Sequence, residues 1–181
     1  MKRPFVGLAL VCALLVPAAA HAQEKGKVGI TMGYPASVGL LWHVADNVAL
    51  RPEFDFAHSN RDSEISESST DTVGLGVSLL LYMKKWDNTA AYFVPRFAWS
   101  HASAKSESDF GGSNFESKST GDAYTYSGSF GAQGWLGSRF SAYGEVGLAY
   151  TTASSESELS GSENKTTGFG LRSGVGIVFY F

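Results

Sequence analysis

Two groupings of residues have the types and spacing to do chemistry. The first is a set of charges, Arg51, Glu53, Asp55, Arg96, Glu145 and Arg172, each on the less apolar side of an alternating segment. Side chains two apart in an extended chain share a face, so Arg51, Glu53 and Asp55 form one stripe. The three cations and three anions balance, and charges gathered inside a protein are stable only when each finds partners. Tyr92, Gln133, Tyr143 and His43 can complete such a network. The second grouping is His101-Ala102-Ser103, a base and a hydroxyl on the same side of one segment, as nucleophilic catalysis requires. Glu107 and Glu116 are the carboxylates nearby in sequence; His58 and Ser59 are adjacent and face opposite sides.

The elements that must position these residues alternate with a period of two, the signature of half-buried β-strands. Eight such segments are expected, over 27–33, 37–44, 48–59, 72–83, 89–101, 123–135, 140–152 and 168–181. In 48–59, Val48, Leu50, Pro52, Phe54 and Phe56 oppose Ala49, Arg51, Glu53, Asp55 and Ala57; in 168–181, Phe169, Leu171, Val175, Ile177, Phe179 and Phe181 oppose glycines and Arg172. Pro95 weakens one ladder position. The connections alternate too. Short turns at 45–47, 84–88 and 136–139 trade with polar segments at 60–71, 102–122 and 153–166, and only Tyr34-Pro35-Ala36 breaks the rule. A soluble sandwich gives no reason for that asymmetry between its two ends, whereas outer-membrane barrels have short periplasmic turns and longer outer loops. The fold class is therefore all-β, an eight-stranded antiparallel up-and-down transmembrane barrel with the polar or small face inward and both termini periplasmic.

Residues 1–22 read as a cleaved secretory signal peptide: Lys2 and Arg3, an apolar run from Phe5, and Ala20-His21-Ala22 before Gln23. The remaining 23–181 form one barrel domain. Removing Lys2 and Arg3 takes the formal charge from −3 to −5, and Cys12 falls within the leader. The mature chain is thus mildly acidic and without disulfides. No basic stretch interleaved with aromatics suggests nucleic acid. The polar segments carry Asp62, Glu64, Glu67 and Asp71, then Glu107, Asp109 and Glu116, then Glu156, Glu158 and Glu163. They read as solvated mobile loops. Their spacing lacks the ligand pattern of a calcium loop, so no metal and no cofactor is expected. Divalent cations bridging these carboxylates to lipopolysaccharide phosphates are the alternative use. Outward aromatics, among them Tyr34, Trp42, Trp99, Tyr124, Tyr126, Tyr150 and Phe140, suit the membrane headgroup level.

Taken together these features resemble the small outer-membrane barrels of the OmpA, OmpX and opacity type, over the whole of 27–181. The alternating end, Val175, Ile177, Phe179 and terminal Phe181, is similar to the signal that the barrel-assembly machinery reads in such proteins. The resemblance implies insertion into the outer membrane of a Gram-negative-type envelope. The barrel is then a monomer in contact with outer-membrane lipid and lipopolysaccharide, engaging the assembly machinery during biogenesis. It supplies no activity. The expected role is structural and for surface display, non-enzymatic, with the interior plugged by the charge network. The alternative is a small porin-like channel, in which rearranged ion pairs gate a narrow path, as has been proposed for OmpA-like barrels. A lesser alternative follows from His101 and Ser103, which resemble the His-x-Ser of PagL-type lipid A deacylases, although Ala104 stands where that motif has Asn.

Overall fold

The computed structural model describes residues 25–35, 37–63, 66–110, 113–158 and 162–181. The expected leader 1–22 and Glu64 lie outside the described residues. Eight antiparallel strands follow in chain order: β1 (Val28–Tyr34), β2 (Ser37–Ala45), β3 (Val48–Ser63), β4 (Ser66–Lys85), β5 (Thr89–Phe110), β6 (Ser113–Trp135), β7 (Phe140–Ser157) and β8 (Glu163–Tyr180). Each pairs with its neighbours in sequence, and β8 returns to β1, so the sheet is a closed barrel. Closure matters because a spanning sheet has no water to satisfy a free edge.

The period of two holds around the ring. Met32, Val38, Phe54, Leu75, Tyr126, Val146 and Leu171 are exposed on the outer wall, whereas Arg51, Tyr92, His43 and Gln133 are buried within. The β4–β5 ladder skips Val94 and Pro95, where the proline has no N–H to give.

Two features differ from the sequence expectation. The polar segments at 60–71, 102–122 and 153–166 are largely strand rather than mobile loop. Pairings such as Asn60↔Ser69, Glu107↔Glu116 and Ser155↔Asn164 carry the ladders far past the apolar belt. Serine and threonine give no apolar alternation to read, yet they accept ladder pairing once the register is set below. The interior is also not uniformly polar. Near the short-turn end it is filled by Leu41, Leu80, Val94, Val178, Tyr82 and Tyr180, the kind of side-chain packing that an eight-stranded barrel has just room for.

Glycines admit the large interior rings. A Cβ on Gly176 would stand 2.5 Å from the Tyr143 hydroxyl, and one on Gly131 2.5 Å from the Tyr92 ring. At Gly147 an added Cβ would strike the backbone of Gly128 and Ser129, while at Gly144, on the outer wall, it would meet nothing within 4 Å. Gly147→Ala is therefore expected to destabilise the refolded barrel by about 1–3 kcal/mol through overpacking. Gly144→Ala should leave the urea midpoint within error, and equal midpoints for the two variants would refute this wall geometry.

Candidate functional site

The barrel brings all six charges of the sequence grouping to one level of the lumen. Arg51 and Glu53 point inward from β3, two residues apart, and Glu145 faces them from β7. Arg51 holds Glu145 in a two-pronged pair, Nη1 to Oε1 at 2.9 Å and Nη2 to Oε2 at 3.1 Å. Its Nε lies 3.3 Å from Glu53 Oε1, and its guanidinium covers the Tyr143 ring at 5.0 Å from the centroid. Arg96 Nε donates to Glu53 Oε2 at 2.8 Å, and Ser78 Oγ donates to the same oxygen at 2.9 Å. Tyr92 Oη donates to Glu145 Oε1 at 3.2 Å, and Arg172 Nη1 to Glu145 Oε2 at 3.3 Å. Asp55 has, among the described residues, one long ion pair, with Arg96 Nη2 at 3.5 Å.

Burial grades the network into an inner and an outer part. The side chains of Arg51, Glu53 and Glu145 are 2%, 3% and 1% exposed, whereas Arg96, Arg172 and Asp55 reach 11%, 17% and 32%. The inner three groups are held by one another and by Arg96, Ser78, Tyr92 and Arg172, with Arg51 Nε close to Glu53 but without a hydrogen bond of its own; the outer three retain unused hydrogen-bonding capacity. Such a network can fix the barrel wall from inside, since its members lie on β3, β5, β7 and β8.

Toward the short-turn end of the lumen lies a second, uncharged cluster. Gln133 Nε2 donates to Ser141 Oγ at 2.6 Å and to Tyr180 Oη at 2.7 Å, while Tyr82 Oη donates to Gln133 Oε1 at 2.9 Å. His43 Nε2 lies 3.4 Å from Tyr180 Oη, and its ring stacks on Tyr82 at 5.6 Å. Of the completing residues named from sequence, Tyr92 and Tyr143 join the charge network; Gln133 and His43 belong to this floor. Tyr82 and Tyr180 escaped notice because each lies in an apolar run, Leu79-Leu80-Leu81-Tyr82 and Val178-Phe179-Tyr180, where parity is masked.

His101 and Ser103 both face outward from β5. The carboxylate beside the histidine is neither Glu107 nor Glu116 but Asp122 of β6, whose Oδ1 lies 3.1 Å from His101 Nδ1 and also accepts from Trp99 Nε1 at 3.1 Å. No hydrogen bond joins Ser103 to His101 among the described residues. A like pair, His58 Nδ1 to Asp71 Oδ1 at 2.6 Å, recurs on β3 and β4. Among the described residues no cluster of His, Cys, Asp or Glu is arranged to hold a metal ion. The terminal alternation lies on the outer wall: Val175, Ile177 and Phe181 are exposed, Phe179 packs between Phe140 and Phe181, and the Phe181 N–H donates to the Val28 carbonyl.

No family model and no curated protein matches the sequence. Solved structures do. A major outer membrane protein from Thermus thermophilus superposes with a TM-score of 0.60 at 12% identity, over 86% of this chain and 98% of that one. Ail, the attachment invasion locus protein of Yersinia pestis, gives 0.50 at 12% identity, over 87% and 99%. The translocator domain of the autotransporter NalP from Neisseria meningitidis gives 0.54 at 15% identity, over 83% of this chain and 57% of that one. What is shared at these identities is the fold: the chain has the architecture of the small outer-membrane β-barrels.

Removing one partner of a buried ion pair leaves the other uncompensated, at a cost of about 3–5 kcal/mol. Glu145→Gln is expected to lower barrel stability by that amount in urea titration. Asp55→Asn, at the exposed margin, should cost less than about 1 kcal/mol. Equal losses would contradict the inner and outer division.

Proposed function

We propose that this protein is an integral outer-membrane barrel whose task is structural and presentational. Its lumen is plugged, it catalyses no reaction, and its three paired polar extensions stand at the cell surface. The observation that carries this reading is the double closure of the interior. The ion network centred on Glu145 is followed toward the short-turn end by the Tyr82, Gln133 and Tyr180 floor, and the polar groups of both are buried and engaged with one another. In this reading residues 1–22 are the cleaved leader, both termini are periplasmic, and the outer wall from Met32 to Leu171 contacts lipid. The extensions meet lipopolysaccharide, and the barrel works as a monomer. Fold likeness to outer-membrane proteins and the apolar outer wall support this placement. The channel alternative requires the same ion pairs to separate together. The purified protein in planar bilayers is expected to be silent or to flicker rarely; a steady solute-dependent current would establish the channel instead.

The terminal strand is proposed as the assembly signal, with Phe179 and Phe181 presented on its outer face. Deleting Phe181 is expected to leave export intact and to reduce the heat-modifiable folded form in the outer membrane. Folded levels equal to those of the intact chain would remove Phe181 from that role.

Asp122 gives the deacylase reading the carboxylate it lacked in the sequence. The lack of a Ser103–His101 hydrogen bond and the repetition of the same cross-strand pair at His58 and Asp71, where Asn60 occupies the position of the serine, favour a purely structural ladder pair. Lipid A from cells expressing the protein is expected to keep all its acyl chains. Loss of one chain, abolished by Ser103→Ala, would make the protein an enzyme.

A further inference from the structure

The barrel wall is not of even height. β1 ends at Tyr34, which pairs with Val175, so β8 from Glu163 to Gly174 has no β1 partner. On the other side the highest β2–β3 pair is Val38↔Phe54, so β3 from Asp55 to Ser63 has no β2 partner. Below the Tyr34–Ser37 turn the ring has eight strands; above it, among the described residues, β3 to β8 form an open sheet with a notch two strands wide. The notch begins within the apolar belt. Leu171 and Phe169, 85% and 71% exposed on the outer face of β8, lie above the last β1 pair, and Phe56 lies above the last β2 pair on β3.

A free strand edge at membrane depth is tolerated where it lines a water-filled cavity. The notch opens on a cavity lined by charged and polar groups. A vestibule of about 310 Å³ lies behind it, lined by the charge network with Tyr34, Pro35 and Ser37 at its rim. On the outer wall an apolar groove of about 480 Å³ passes over Gly144 and Ala132 between Phe130, Val146 and Val175. The two hollows share Tyr34, Glu145 and Gly174. They lie on opposite faces of the wall, one polar and one apolar, and Tyr34 at the rim of the notch borders both.

The charges facing the notch are the unsaturated ones. Arg172 on β8 makes a single contact with Glu145, and Asp55 on β3 a single long one with Arg96. One strand bordering the gap thus offers a guanidinium and the other a carboxylate. Guanidinium groups bind phosphate oxygens well, and a carboxylate accepts from ammonium. We propose that the notch is a lateral site for one zwitterionic phospholipid, its phosphate at Arg172, its ammonium at Asp55, and an acyl chain leaving over Tyr34 into the groove above Gly144. The polar head reaches the vestibule from the side, without passage along the barrel axis.

The probe is palmitoyl-lysophosphatidylethanolamine, titrated calorimetrically into the refolded mature barrel in a non-ionic detergent. The phosphoglycerol analogue and monopalmitoylglycerol serve as head-group controls with the same chain. One phosphoethanolamine lipid per barrel is expected to bind, with the phosphoglycerol lipid weaker and the glycerol lipid undetected. Asp55→Asn should remove the preference for phosphoethanolamine over phosphoglycerol. Arg172→Gln should weaken both by about tenfold or more, the loss of one charge-assisted contact. Gly144→Leu should weaken both about tenfold by filling the groove, and it lies where added atoms meet open space, so folding is preserved. If Arg172→Gln fails to give the heat-modifiable form, Asp55→Asn and Gly144→Leu decide the matter. Equal binding of all three lipids, or full binding by Asp55→Asn and Gly144→Leu with unchanged preference, would overturn the proposal.

Discussion

Glu145 is the residue on which the interior turns. Its carboxylate takes a two-pronged contact from Arg51 on β3, one from Arg172 on β8 and one from the Tyr92 hydroxyl on β5, while its own backbone lies in β7. A single anion thereby ties four strands across the lumen. The cost of removing charges from water is large, and the attraction between them repays it only when the geometry is good and the remaining lone pairs are used. Here both oxygens of Glu145 are used. Arg51 in turn is shared with Glu53, which Arg96 and Ser78 complete. The chain of partners explains why the net charge of the network is zero and why its inner members are almost wholly buried. An odd charge in that position would have no counterpart.

The glycines around the network are part of the same constraint. An eight-stranded barrel leaves an interior about as wide as the side chains that must fill it, so each large group needs a vacancy on the facing strand. Tyr92 lies over Gly131, Tyr143 over Gly33 and Gly176, and Arg96 over Gly76. Glu145 itself pairs in register with Gly131 and Gly174. Large and small residues thus alternate around the ring, and the inner faces rich in glycine are the space into which opposite strands project their rings and charges.

The sequence shows the barrel itself plainly because outer-wall alternation is strong wherever one face is apolar and the other is not: 48–59 and 168–181 can be read residue by residue. It shows the charge network for the same reason, since Arg51, Arg96, Glu145 and Arg172 interrupt otherwise small or apolar inner faces. Legibility fails where the contrast between faces vanishes. Leu79-Leu80-Leu81 and Val178-Phe179-Tyr180 are apolar on both sides, so Leu80, Tyr82, Val178 and Tyr180 do not announce that they line the floor. The extensions are polar on both sides, so their strands are invisible in the sequence although the ladders run through them. Cross-strand partners are hidden for another reason: Asp122 meets His101 through the β5–β6 register, which no local spacing encodes.

The same unevenness of strand length separates two kinds of access. Along the axis lie the Arg51, Glu53 and Glu145 contacts and then the Gln133, Tyr82 and Tyr180 floor. The two clusters touch: the Tyr82 and Tyr92 rings stand 5.4 Å apart, Tyr92 belonging to the network and Tyr82 to the floor. At the side, among the described residues, β8 beyond Val175 and β3 beyond Phe54 have no partner from β1 or β2. The wall is simply lower at β1 and β2, and the charges behind it are those with spare capacity. Carried as high as their neighbours, β1 and β2 would satisfy the edges of β3 and β8 with ladder bonds. Seven and nine residues suffice to close the lower ring, and that is where the two strands stop. The ion network, the floor and the uneven wall are thus parts of one arrangement.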